Sequence, residues 1–245
     1  MQKQIFAKFT LSLAFLLPFS SHAADWQQTE FQILHGDSYK APGDTTYSKT
    51  VFTFNHVSSW AYGSNFFFFD ISSPDTDDNT TYYGEFSPAF SLTKMGLMKE
   101  PDSVVKDILL QLNYELPQGP AKRAALAGVT IEWKDISIDY FATQFLYRDT
   151  LANDGHTGQF TIVWLKRFGG DSFPVEFSGF LDWAGQEGTI KDNLQTQPSL
   201  LYDFSKKTAG KVPLKLGVEW LYWKNKYGID GLDESLGQAK LVWIF

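Results

Sequence analysis

From Trp26 onward the chain alternates apolar and polar residues in runs of about ten, separated by turn-forming residues. A period of two is the mark of a β-strand whose two faces meet different surroundings. Twelve segments carry it: 26–36, 47–57, 62–73, 82–94, 104–116, 124–134, 135–147, 157–168, 173–185, 194–206, 212–224 and 236–245. In 104–116, Ile108, Leu110, Leu112 and Tyr114 share one parity, and Asp107, Gln111, Asn113 and Glu115 take the other. Phe173, Val175, Phe177, Leu181 and Trp183 stand likewise against Glu176, Ser178 and Asp182. Leu214, Leu216, Val218, Trp220 and Tyr222 oppose Lys215 and Glu219.

A soluble sandwich would show the same alternation with its polar face outward, so further features must separate it from a membrane barrel. First, the apolar parity carries rings near segment ends: Trp60, Tyr82, Trp133, Trp164, Trp183, Tyr222 and Trp243. Rings at those places suit the two membrane–water interfaces, and a soluble strand has no need of them. Second, connectors are expected to alternate short and long, tight at 134–135 and 168–173 and longer at 147–157 and 224–236, although 93–104 is long for its place. Third, the last residues, Leu241-Val242-Trp243-Ile244-Phe245, form an alternating strand ending on a ring. Such an end suits recognition of Phe245 by the barrel-assembly machinery of outer membranes. The expected fold is all-β, a transmembrane antiparallel up-and-down β-barrel of about twelve strands in which one domain takes up residues 24–245.

The N-terminal stretch changes the picture of where this barrel goes. Lys3 and Lys8 precede the apolar run Leu11 to Phe19, and Ser21-His22-Ala23 follows as a small-x-small site. This order predicts a cleavable signal peptide over residues 1–23 and export to a Gram-negative outer membrane. The apolar run is too short to span a bilayer as a helix, and no later window is apolar enough to do so. Aromatic residues make up 17% of the chain, which is many rings for a sequence without long apolar blocks and fits girdled strands. There is no Cys, so an exported chain must hold together without disulfides. The formal charge of -7 becomes -9 once Lys3 and Lys8 leave, which argues against nucleic-acid polymers as partners.

Candidate chemistry lies on the inward parity. In Asn65-Phe66-Phe67-Phe68-Phe69-Asp70, alternation puts Phe66, Phe68 and Asp70 on one face, assigned inward, and Phe67 and Phe69 on the other. Phe180 among Glu176, Ser178 and Asp182 makes a second such spot. Rings beside carboxylates can stack on a flat base and hydrogen bond a sugar or an amine; the bland alternative is that the rings fill the interior. Catalysis has little behind it: His35, His56 and His156 are the imidazoles after residue 23, and His56 beside Ser58 and Ser59 is the one arrangement that suggests a hydrolase pair. No cofactor is called for, and no paired His or Cys spacing suggests a metal. Asp75-Thr76-Asp77-Asp78-Asn79 opens like a calcium loop but has Thr80 and Phe86 where the glycine and the last carboxylate belong.

Several stretches together resemble the nucleoside-specific channel-forming Tsx family and its vibrio relative, outer-membrane protein K. They are Ala24-Asp25-Trp26, His35-Gly36-Asp37-Ser38-Tyr39-Lys40, the Phe-rich run with Asp70-Ile71-Ser72, Tyr83-Gly84-Glu85-Phe86-Ser87-Pro88, Gly179-Phe180-Leu181-Asp182-Trp183, and Glu219 to Gly228. The resemblance implies a monomeric twelve-stranded barrel with a narrow aromatic-lined pore passing nucleosides down a gradient, and a surface usable as a phage receptor. The chain departs from the best-known members in its acidic second loop and its shorter length. The expected function is facilitated diffusion of nucleosides or similar small polar solutes. A general porin or sugar channel, a barrel enzyme, and a receptor barrel without a pore are the alternatives.

Overall fold

The computed structural model describes residues 24–43, 45–75, 79–118 and 123–245; the expected signal peptide and the core of the 75–79 acidic loop lie outside them. Strands β1 (Trp26–Lys40), β2 (Thr46–Trp60), β3 (Gly63–Pro74), β4 (Thr81–Ser91), β5 (Val105–Pro117), β6 (Ala124–Trp133) and β7 (Tyr140–Thr150) follow one another around a single sheet. They continue with β8 (Thr157–Phe168), β9 (Val175–Ala184), β10 (Asn193–Thr196), β11 (Ser199–Asp203), β12 (Leu214–Lys224) and β13 (Glu234–Ile244). Every pairing is antiparallel, and β13 pairs with both β12 and β1, so the sheet closes and leaves no free edge. A closed ladder is what a strand protein needs in hydrocarbon, where an unpaired backbone amide has no water to turn to.

Thirteen strands make twelve staves, because β10 and β11 lie end to end between β9 and β12. Pro198 causes the break: it has no N–H to give the ladder. The Thr196 hydroxyl donates to the Phe180 carbonyl at 2.6 Å and the Gln197 amide donates to it at 3.2 Å, so the interrupted stave stays tied to β9.

Several expected boundaries shift, and four of the shifts show their cause or their consequence. β1 runs on to Lys40 through a bulge between Gly36 and Tyr39, where Ser38 has φ 74°. β4 stops at Ser91, before the expected 94. The segment expected to begin at 135 is a turn until Tyr140, with Asp135 and Ser137 at φ 61° and 58°, so the apparent alternation of Ile136 and Ile138 is that of a loop. The segment expected to reach 206 ends at Asp203, whose side chain accepts the Lys206 amide at 3.1 Å and caps a single helical turn, α1 (Phe204–Lys207). The short–long alternation of connectors does not hold either. On the end that carries both termini, they run from residues 61–62 to residues 92–104, and those on the opposite end, such as 41–45 and 225–233, fall between.

The outer surface is apolar. Phe54, Phe69, Ile71, Phe86, Leu110, Leu112, Phe145, Leu216, Val218 and Trp220 are each exposed, far more apolar surface than a water-soluble chain of this size leaves bare. All seven expected girdle rings fall on this outward parity. Trp60, Trp133, Trp164 and Trp243 lie toward the terminal end and Tyr82, Trp183 and Tyr222 toward the other, giving the two belts of a bilayer-spanning wall.

Adjacent staves approach closely at inward glycines such as Gly128 and Gly217. A Cβ on Gly217 would sit 2.0 Å from the Leu200 carbonyl oxygen, whereas one on Gly237 of the neighbouring strand meets nothing within 4 Å. Gly217→Ala is expected to cost about 1–3 kcal/mol, read as a lower urea midpoint of the refolded barrel, with Gly237→Ala staying near wild type. Equal midpoints for the two variants would show that the staves yield freely there.

Candidate functional site

The phenylalanine run shows how strand geometry sorts a uniform sequence. Outward, Phe69 meets the lipid side and Phe67 packs 5.9 Å from Phe54. Inward, the rings of Phe66 and Phe68 are 5.8 Å apart, and Phe68 lies 5.7 Å from Tyr83 of β4. Three rings thus line one wall, and the Tyr83 hydroxyl donates to Glu85 at 2.5 Å. Asp70, the next inward position, accepts the Thr53 hydroxyl at 2.6 Å and lies within electrostatic range of Lys49, whose ammonium sits 4.2 Å over the Tyr39 ring.

In the order of staves, β9 stands six places from β3 in either direction. The wall bearing Phe180 and Asp182 is therefore diametrically opposite the one bearing Phe66, Phe68 and Asp70. A ring of twelve strands spaced about 4.8 Å and tilted about 40° is on the order of 24 Å across the backbone. Rings reaching inward from both sides leave a gap of roughly 10 Å, the scale of one flat solute with its contacts.

Asp182 accepts the Thr161 hydroxyl and lies within electrostatic range of Glu115 and Arg148. Arg148 holds Glu115 in a two-pronged pair, with Nη2 donating at 2.6 Å, and donates to Gln159 at 2.9 Å. Glu85 accepts Asn113 at 2.9 Å and feels Glu115 beside it and Asp182 across the lumen. Three carboxyls and one guanidinium thus meet near the aromatic wall. A planar guanidinium gripped by a carboxylate is a fixed fork of donors, suited to orienting a polar solute without holding it tightly.

Five of the six residues singled out from the sequence line this space: Phe66, Phe68, Asp70, Phe180 and Asp182. Glu176 does not join them. Near the terminal end it takes two hydrogen bonds from Lys215, at 2.9 and 3.0 Å, with Arg167 at 3.7 Å and Glu30 facing the same ammonium at 3.7 Å. A carboxylate so occupied and buried belongs to the wall's own ion network. The sequence reading missed Tyr83, Glu85, Glu115 and Arg148 as site residues; inward charge on a strand was the available signal, and Arg148 lies one residue beyond the segment expected to end at 147. His56 faces outward, its Nδ1 2.8 Å from Thr29 Oγ1 and its ring stacked 5.2 Å from Phe67, so its partners are a threonine and a phenylalanine.

At the mouth opposite the termini, loops are pinned to the strand ends. Glu187, from residues 185–192, accepts the amide and hydroxyl of Thr150, both at 2.7 Å. Lys226, from residues 225–233, donates to Glu234 at 2.7 Å and to the Lys40 carbonyl at 2.8 Å. Burial pulls the Lys226 amine below the usual lysine range, against the opposing pull of Glu234.

A closed antiparallel sheet with a lipid-facing exterior, two aromatic belts and a polar interior defines a transmembrane β-barrel. No family model and no curated protein matches the chain, so the resemblance to the nucleoside channels rests on the stretches quoted above. Among solved structures the chain is similar to the KdgM porin, with 10% identity, a TM-score of 0.47, and coverage of 89% of this chain and 99% of that one. The KdgM porin in complex with disordered oligogalacturonate gives 12% identity, the same TM-score, and 88% and 99% coverage. A mutant Rh. blastica porin gives 9% identity, a TM-score of 0.37, and 90% and 100% coverage. At such identities and superpositions these likenesses carry no inference about solute.

Proposed function

We propose that the chain is an outer-membrane channel that passes small polar solutes by facilitated diffusion, with nucleosides as the solute class. The observation that carries the reading is the run of neighbouring rings Phe66, Phe68 and Tyr83 on one wall, set against polar and charged side chains inside a closed barrel. A base slides along a run of rings because every base has a π-face, while hydroxyls and carboxyls beside the rings exchange hydrogen bonds with the sugar. Contacts of that strength are weak and successive, which lets the solute leave. The quoted stretches shared with the nucleoside channels support the same solute. Cleavage after Ala23, termini on the periplasmic side, recognition of Phe245 by the assembly machinery, a monomeric state and use of the opposite loops by phages belong to this reading.

Proteoliposome swelling tests it. The double variant Phe66→Ala/Phe68→Ala is expected to slow thymidine entry relative to glucose by roughly fivefold or more. Equal loss for both solutes, or none, would point to a general porin. A second reading, a receptor barrel without transport, draws on the loops pinned to the strand ends at the mouth opposite the termini, and it predicts no conductance in planar bilayers.

A further inference from the structure

Resting on the channel reading, we infer that the conduction path is cation-selective and that Glu85, Glu115 and Asp182, grouped with Arg148, set that selectivity. Most inward charges are balanced in place. Lys215 and Arg167 answer Glu30 and Glu176; Lys240 answers Glu219 at 2.7 Å; Lys226 answers Glu234; Lys106 answers Glu132 at 2.9 Å; Lys49 lies near Asp70. Apart from Asp107 and Asp203, which hydroxyls and backbone amides hold, one group is unbalanced. Around Arg148 stand three carboxyls, Glu115 in the bidentate pair, Glu85 beside it and Asp182 two staves along on β9, and among the described residues no second cation pairs with them. The group stays acidic even with one carboxyl protonated.

Its position makes the imbalance effective. Glu85 projects from β4 and Asp182 from β9, so their fields meet across the lumen, where low-dielectric walls focus them and salt screens them less than at a surface. A ring of carboxyls around a pore favours cations in the same way in other channels. The mouths add a gradient. Among the described residues, connectors on the end opposite the termini hold six acids (Asp75, Asp154, Glu187, Asp192, Asp230, Asp233) and three bases (Arg123, Lys191, Lys226), whereas those on the terminal end hold five acids and six bases. Cations are drawn in at the acidic mouth and anions are turned away. Among flat polar solutes, those carrying a positive charge pass faster than neutral ones, and phosphorylated ones pass slowest.

The test is the reversal potential of the mature barrel in planar bilayers under a KCl gradient. The expected K⁺/Cl⁻ permeability ratio is about threefold or more, falling toward unity in Glu85→Gln/Asp182→Asn. The single variant Asp182→Asn, which keeps the Thr161 contact available, should fall part of the way and serves if the double variant folds poorly. A wild-type ratio at or below unity, or one unmoved by these variants, overturns the inference while leaving a channel in place. Absence of any conductance overturns the channel reading and the inference with it.

Discussion

Replacing Lys215 with methionine should destabilise the barrel by about 3–5 kcal/mol, the cost of leaving buried charges without their partner. Lys215 is buried, and so is Glu176, which takes both of its short hydrogen bonds from that ammonium. Glu30 faces the same group, so one substitution strands two carboxylates; Arg167, half exposed and at 3.7 Å, can answer only one of them. The double variant Lys215→Met/Glu176→Gln is expected to recover a large part of the loss, because it removes a charge along with its counter-charge. Urea titration of the refolded protein, followed by tryptophan fluorescence, would check both. A single variant as stable as wild type would mean that water reaches these carboxylates and that the terminal end of the lumen is open.

The second large effect is expected on the opposite face of the wall. Leu110→Arg places a guanidinium on the lipid side of β5 near the middle of the strand, at a cost of about 2–4 kcal/mol. Its neighbour Gln111 points inward, where its side chain accepts the Thr130 hydroxyl at 2.9 Å, so Gln111→Glu should be felt far less. The comparison reads which parity meets hydrocarbon: the two substitutions are adjacent in sequence and each introduces one charge, on opposite faces of the wall. Folding yield in lipid vesicles, scored by the shift in gel mobility on heating, would separate them. If the arginine were tolerated as well as the luminal glutamate, the outer wall would not be a lipid surface.

Much of this architecture could be read along the chain because a strand's side-chain period is two and a barrel wall has two solvents. Phe66 and Phe68 were separable from Phe67 and Phe69 on that ground alone, and the girdle tryptophans fell on the apolar parity for the same reason. Boundaries were lost where backbone conformation, not composition, ends a strand. Ile136 and Ile138 alternate with polar residues, yet Asp135 and Ser137 hold positive φ and make a turn. Pro198 breaks its stave through a missing N–H, a signal that the segment expected over 194–206 ran through.

Tyr39 shows the limit at the site. By parity it should face away from Leu34 and Gly36, yet the bulge between Gly36 and Tyr39 turns it inward, where its hydroxyl donates to Gln238. Glu176 fails in the other direction: its parity is right, but its partner Lys215 lies 39 positions away and consumes it.

The sequence by itself determined which side chains face lipid and which face the lumen, because that depends on local alternation and on the cost of charge in hydrocarbon. Tertiary structure alone decided which inward residues meet. Closure sets β3 opposite β9, strand order brings Arg148 to Glu115 and Lys215 to Glu176, and a single extra residue in β1 re-aims Tyr39. Those are facts of stagger and stave count, quantities that no run of ten residues contains.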